Sequence, residues 1–206
     1  MKLNSPFVIT ISRQLGSGGA YIGQQLAQKL NIFYADRKII NEAAKQLSVL
    51  EEDLESLEER KRSFWQSFLD SFTFGAPEVY LLPQSVTPTD DELYTTEKEI
   101  IERIANERSS VIIGRCSAHI LGKHPNHFNI FLHADLSFRT ERIRELYNVS
   151  EKVALKMITQ SDQDRALYNY TYSGQEWTDL RRYDLCMDTG KVGLEKSLEL
   201  IMKHLE

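Results

Sequence analysis

The stretch Phe7-Val8-Ile9-Thr10-Ile11-Ser12-Arg13-Gln14-Leu15-Gly16-Ser17-Gly18-Gly19-Ala20-Tyr21-Ile22-Gly23 decides the fold. A β-branched apolar run passes into a glycine cluster, and the cluster opens into a segment with helical spacing. Glycines at 16, 18 and 19 let successive backbone N–H groups turn inward on an anion, and the following helix aims its positive N-terminus at the same point. The side-chain chemistry departs from the full phosphate-loop signature G-x-x-x-x-G-K-[ST], whose Lys reaches the β/γ phosphates and whose hydroxyl meets Mg²⁺. Gly18 matches the second glycine, but Gly19 and Ala20 stand at the Lys and Ser/Thr positions, and Arg13 stands at the first glycine.

Working outward, Ile22, Leu26 and Leu30 recur every four residues and predict a helix ending near Asn31. Ile32-Phe33-Tyr34-Ala35 reads as a short strand closed by Asp36-Arg37-Lys38, and Ile39, Ile40, Ala43, Ala44 and Leu47 continue as a second helix. Strand, loop, helix, strand, helix is how a parallel α/β sheet begins. Ser110-Val111-Ile112-Ile113 is a wholly apolar strand that stops at Gly114-Arg115. Ligands in open α/β sheets bind beyond the carboxyl ends of the strands, which puts Arg115 on the same rim as the glycine loop.

The chain has 206 residues, 41% of them hydrophobic, enough for one substantial core. A net charge of −5, from 25 basic and 30 acidic residues, offers no general attraction to nucleic acid or to an anionic membrane. Cys116 and Cys186 lie far apart without metal-ligand spacing, and no apolar run is long enough to span a bilayer. The N-terminus lacks a signal-like apolar region, so the expected location is cytoplasmic.

The remaining chain supplies candidate arms and lids. Leu47, Leu50, Leu54, Leu57, Phe64, Trp65, Phe68, Leu69 and Phe72 follow helical spacing, a seam that packs inward or could pair with a second subunit as a homodimer. Prolines at 77, 83 and 88 mark 75–91 as an irregular loop, after which a helix resumes at about Asp91. A strand over His127–His133 leads through Asp135 into a helix carrying Arg139, Arg142 and Arg144. Residues 139 and 142 lie one turn apart, as a phosphate clamp requires and as a solvated charged face also would. Ser150 caps a second helix, on which Asp162 and Arg165 are again one turn apart, and the tyrosine-rich stretch from Tyr168 to Gly174 ends the helical pattern. Tyr183 to Asp188 reads as the last strand, Thr189-Gly190 as a turn, and Leu194 to Leu205 as the closing helix. The spacing of His119, His124, His127 and His133 suggests no metal site.

Taken together, these segments resemble the cytidylate kinase-like family, in the nucleoside monophosphate kinase branch of the phosphate-loop NTPases. The resemblance is carried by Ile11 to Gly19, Tyr34-Ala35-Asp36-Arg37, Ile113-Gly114-Arg115, Arg139-Thr140-Glu141-Arg142, Asp162-Gln163-Asp164-Arg165 with Tyr168, Gly174-Gln175-Glu176-Trp177, and Tyr183 to Thr189. It implies a three-layer α/β/α fold with a five-stranded parallel sheet, forming one domain over 1–206. Its insertions would be an acceptor-side helical region at about 47–92 and a lid at about 146–180.

The same resemblance implies ATP- and Mg²⁺-dependent phosphoryl transfer to a pyrimidine nucleoside monophosphate such as CMP or dCMP. Leu15, Gly16, Ser17, Gly18, Gly19 and Ala20 would hold the ATP phosphates. Asp36, Arg37, Arg115, Asp162 and Arg165 would face the acceptor, and Arg139, Arg142 and Arg165 would close over the transferring group. The chain departs from true cytidylate kinases at Gly19 and Ala20, at Cys116 in place of the Asp of Gly-Arg-Asp, and at Ile158 in place of a lid Arg. Arg13 or a lid arginine is then the expected replacement cation, with Ser12, Ser17 or Asp36 helping to place Mg²⁺. A nucleotide-binding module that has lost catalysis and acts through protein partners, and a kinase of a non-nucleotide small molecule, are the competing readings. Cys116 beside Arg115 is read either as an oxidisable thiol of lowered pKa or as a small residue tucked behind the loop. The tyrosines at 168–172 and Trp177 could stack on a base or pack the lid onto the body.

Overall fold

The computed structural model describes residues 6–51, Trp65 and residues 91–205. Five strands, β1 Val8–Arg13, β2 Phe33–Ala35, β3 Ser110–Ile113, β4 His127–His133 and β5 Leu185–Asp188, form one sheet in the order β2-β3-β1-β4-β5. Every pairing is parallel. β1 lies in the middle, with Ile9 opposite Val111 on one side and Phe128 on the other. The glycine loop therefore leaves the centre of the sheet, flanked by the ends of β3 and β4.

The sheet is covered on both faces, which is why its strands read as continuous apolar runs. Ile9, Ile11, Val111, Ile113, Ile130 and Leu132 pack against α1 (Gly19–Leu30) and the C-terminal helix Leu194–Leu205 through Ile22, Leu26, Leu198 and Ile201. On the other face Val8, Phe33 and Ile112 meet α2 (Arg37–Glu51) and α3 (Asp91–Glu107) through Ile40, Ile100, Ile101 and Ile104. Each fully buried Ile or Leu contributes on the order of 1.5–3 kcal/mol, so the sheet is a stiff platform for the rim.

A four-residue helix, α4 (Ser117–Ile120), follows β3, and α5 (Leu136–Tyr147) follows β4. Asp135 caps α5 by accepting the Phe138 amide, and Ser150 caps α6 (Glu151–Ser173) by accepting the Val153 amide. After β5 come the short α7 (Thr189–Val192) and the closing α8 (Leu194–Leu205).

One local expectation is sharpened and one is corrected. The helix ends at the last residues of the tyrosine-rich stretch: α6 continues to Ser173 and stops at Gly174, whose φ of 67° is left-handed. Tertiary packing holds that turn helical, since Tyr172 stacks on Tyr94 at 3.9 Å between ring centroids and meets Tyr168 at 4.8 Å. Thr189-Gly190 opens a helix rather than a plain turn, because Asp188 accepts the amides of Gly190 and Lys191. Of the apolar seam expected at 47–72, α2 carries the backbone to Glu51 and Trp65 is buried, with Arg103 placed 4.4 Å over its ring. The rest of that seam, its homodimer reading and the 75–91 loop up to residue 90 lie outside the described residues.

Candidate functional site

A cavity of about 460 Å³ opens along the carboxyl ends of β1 and β3. The glycine loop forms one wall, α2 another and α6 a third, bringing together segments more than a hundred residues apart.

The loop keeps the backbone arrangement expected of it. Gly16 and Gly18 have φ of 86° and 78°, values only glycine adopts without strain. Among the described residues, the amides of Gly16, Gly18, Gly19 and Ala20 meet no protein acceptor, and they stand at the N-terminus of α1. Backbone dipoles so arranged can hold an anion. The Leu15 amide is not part of it, because it donates to Asp162 Oδ1 at 3.0 Å.

Arg13 crosses this loop. A Cβ placed on Gly19 would lie 2.6 Å from Arg13 Cγ, and one placed on Gly114 would lie 2.1 Å from its Nη1. The side chain thus runs over the start of α1, where a phosphate-loop Lys would begin, and ends at the exit of β3. Burial lowers the Arg13 pKa, an effect opposed by the nearby Tyr34 and Asp36. Arg165, also on the cavity wall, is lowered to about 9 by burial first and by repulsion from Arg13 second. Arginine keeps its charge in proteins, so Arg13 and Arg165, with Arg37 and Arg142, line the cavity as a cationic group.

Other expected residues fall in different places. Arg139 does not line the cavity but braces the loop from behind, donating to Asp162 Oδ2 at 2.6 Å and to the Leu15 carbonyl at 3.4 Å. Asp162 also accepts from Arg165 at 3.3 Å, so both its oxygens are engaged on the loop and on arginines rather than turned to the acceptor side. Ser17 is corrected as a Mg²⁺ ligand in this geometry. Its hydroxyl is fully buried and donates to the carbonyls of Gln14 and Leu132. Ser12 and Asp36 do reach the cavity, Asp36 while capping α2 through the amides of Lys38 and Ile39. No cluster of three or more His, Cys, Asp or Glu able to hold a metal occurs among the described residues. A Mg²⁺ carried in by nucleotide phosphates, with one carboxylate added, fits this donor set.

Arg115 leaves β3 through three successive left-handed residues, Gly114, Arg115 and Cys116, with φ of 72°, 56° and 54°. Two non-glycine residues in that region are a costly turn, held only where surroundings impose it. Its guanidinium pairs with the fully buried Glu97 of α3 and lies 4.5 Å over the Tyr168 ring. Cys116 is the small buried residue behind the loop. Burial pushes its thiol up to about 12, and Sγ donates to Asn169 Oδ1 at 3.3 Å, which removes the lowered-pKa reading. Glu97 is the residue that sequence reasoning missed, because one acidic position among Asp91, Glu92 and Glu97 gives no sign of burial.

A glycine loop leaves the centre of a β2-β3-β1-β4-β5 parallel sheet, and the model of the cytidylate kinase-like family matches residues 8–191. The chain belongs to that family. A cytidylate kinase from Methanocaldococcus jannaschii is 25% identical over 204 residues, covering 97% of each chain. Among solved structures, an uncharacterized protein from Eubacterium ventriosum matches this family member at 27% identity and TM-score 0.72, over 96% of this chain and 97% of that one. Shikimate kinase from Bacteroides thetaiotaomicron, 13% identical with TM-score 0.51 over 97% and 98% of the chains, shares the fold. The architecture is therefore that of a phosphate-loop kinase with a three-layer α/β/α core. No helix among the described residues is long and apolar enough to cross a membrane.

Proposed function

We propose that this cytidylate kinase-like protein transfers the γ-phosphoryl group of Mg·ATP to a nucleoside monophosphate, with CMP or dCMP as the preferred acceptor. The observation that carries the reading is the course of Arg13, whose aliphatic stem passes Gly19 at the start of α1 and whose guanidinium ends at Gly114 on the wall of the same cavity, which gives the cavity a cation although the usual Lys is missing. An acceptor phosphate oxygen forms the new P–O bond as the bond to ADP breaks, and no covalent enzyme intermediate or strong base is needed. What the protein must supply is alignment and positive charge on the transferring group.

In this reading the amides of Gly16, Gly18, Gly19 and Ala20 hold the donor phosphates, and Arg13, Arg142 and Arg165 neutralise charge developing between donor and acceptor. Arg37 and Arg115 receive the acceptor phosphate, and Asp36 or Ser12 assists the Mg²⁺. Asp162 and Arg139 keep the loop in shape. Tyr168 and Trp177 border the cavity as packed rings, Tyr168 beneath Arg115 and Trp177 edge-on to Phe131.

The test is a coupled ADP-release assay with Mg·ATP against CMP, dCMP, UMP, AMP, GMP and a set of small alcohols, beside thermal-shift binding of ATP. The fastest turnover is expected on CMP or dCMP. Tight ATP binding with no turnover on any acceptor would replace this reading with a nucleotide-binding module acting through partners; turnover on an alcohol alone would make it a kinase of a non-nucleotide small molecule.

A further inference from the structure

We propose that Glu97 is a positioning residue for the acceptor phosphate, acting through Arg115; this rests on the reading that the cavity takes a phosphorylated acceptor. Four elements meet at this one carboxylate. Arg115, at the end of β3, donates to Oε1. The Asn41 amide of α2, oriented to donate, reaches the same oxygen at 2.6 Å and the Arg37 carbonyl at 3.2 Å. Tyr168 of α6 donates its hydroxyl to Oε2 at 2.9 Å. Glu97 itself belongs to α3 and is fully buried. Sheet rim, acceptor-side helix and lid helix are joined at a single charge.

That arrangement accounts for the left-handed turn at Arg115 and Cys116. A strained backbone persists where side-chain contacts over-determine it, and here the ion pair, the Tyr168 ring and the Cys116–Asn169 contact do so. The Arg115 side chain is only 7% exposed and lines the cavity, and Nη2 is the one guanidinium nitrogen with a protein acceptor among the described residues. A guanidinium held at one end by Glu97, with a donor left unmet, is set up to take an anion oxygen without giving up its partner. Freed from Glu97, the long side chain would have many rotamers, and its charge would be repelled by Arg37.

The two physical effects of removing the Glu97 charge have opposite signs, which makes the inference testable. Charge alone predicts tighter anion binding in Glu97→Gln, because the cavity becomes more positive. Loss of positioning predicts weaker binding. Inorganic phosphate, titrated calorimetrically into the full chain at constant ionic strength, reads the outcome. We expect Glu97→Gln to weaken phosphate binding about tenfold, and Tyr168→Phe, which removes one hydrogen bond, about threefold, both with near-native circular dichroism. Equal or tighter binding in Glu97→Gln, or no phosphate binding by the wild type, overturns the inference. If Glu97→Gln does not fold, Tyr168→Phe decides by the same criterion. Turnover on nucleoside monophosphates is measured separately, so an inactive wild type would refute the kinase reading and leave the phosphate series to judge Glu97.

Discussion

Arg13 and Gly19 compete for one volume: a Cβ at residue 19 would lie 2.6 Å from Arg13 Cγ and 2.7 Å from Arg13 Cβ. The usual phosphate loop has glycine at the first of these positions and Lys at the second, and here the two have exchanged. A side chain at 19 and one at 13 exclude each other, so the missing Lys and the extra Arg are one change.

This exchange predicts the behaviour of reciprocal variants. Gly19→Lys alone forces the two side chains together and should cost about 1–3 kcal/mol, read as a lowered midpoint in urea, with ATP binding lost. Adding Arg13→Gly should recover both stability and ATP binding, at least in part. A Gly19→Lys protein as stable as wild type would show that the volume is not shared.

Asp162 bears on the loop rather than on the acceptor. Asp162→Ala leaves the buried Arg139 without its carboxylate and frees the Leu15 amide. The expected loss is about 2–4 kcal/mol in urea unfolding, with ATP affinity falling more than acceptor affinity. Acceptor affinity falling alone would return Asp162 to the acceptor side.

His127 makes stability depend on acid. Its Nε2 lies 2.6 Å from Thr10 Oγ1, and burial pushes its pKa from 6.5 to about 4, against the pull of Asp184 and with the push of His124. The unfolded chain then binds a proton that the fold rejects, so this contribution is complete above pH 6.5 and disappears as pH falls toward 4. The expected loss is on the order of 3 kcal/mol across that window, and His127→Gln should flatten the slope of stability between pH 4 and 6.5. An unchanged slope would remove His127 as its source.

Thiol chemistry should separate the two cysteines. Cys186 is half-buried, whereas Cys116 is buried with a pKa of about 12. An aromatic disulfide reagent at neutral pH should modify Cys186 in the native protein and Cys116 only after unfolding. Rapid modification of Cys116 would restore the redox reading.

Much of the fold was legible because apolar spacing carries it. β4 and α8 match their expected residues, and Asp135 and Ser150 cap the helices predicted to follow them. The glycine loop was legible as a backbone device, since positive φ at Gly16 and Gly18 needs no partner from elsewhere. What could not be read were contacts across the chain. Asp162 and Arg139 were expected at the acceptor and in the lid because the family resemblance implied it, and their spacing on a helix says which face a residue shares, not what that face meets. Glu97 was hidden for the same reason: its three donors come from residues 41, 115 and 168. Ser17 looked like a metal ligand by position, and only the packing of β4 beneath the loop turns its hydroxyl inward.

The most direct test compares phosphoryl transfer from Mg·ATP to CMP by the wild type and by Arg13→Ala, at saturating and at limiting ATP. Removing one preorganised charge at the transferring group should lower turnover about 10²–10³-fold while the protein stays folded. A folded Arg13→Ala protein with wild-type turnover and ATP affinity would contradict the account.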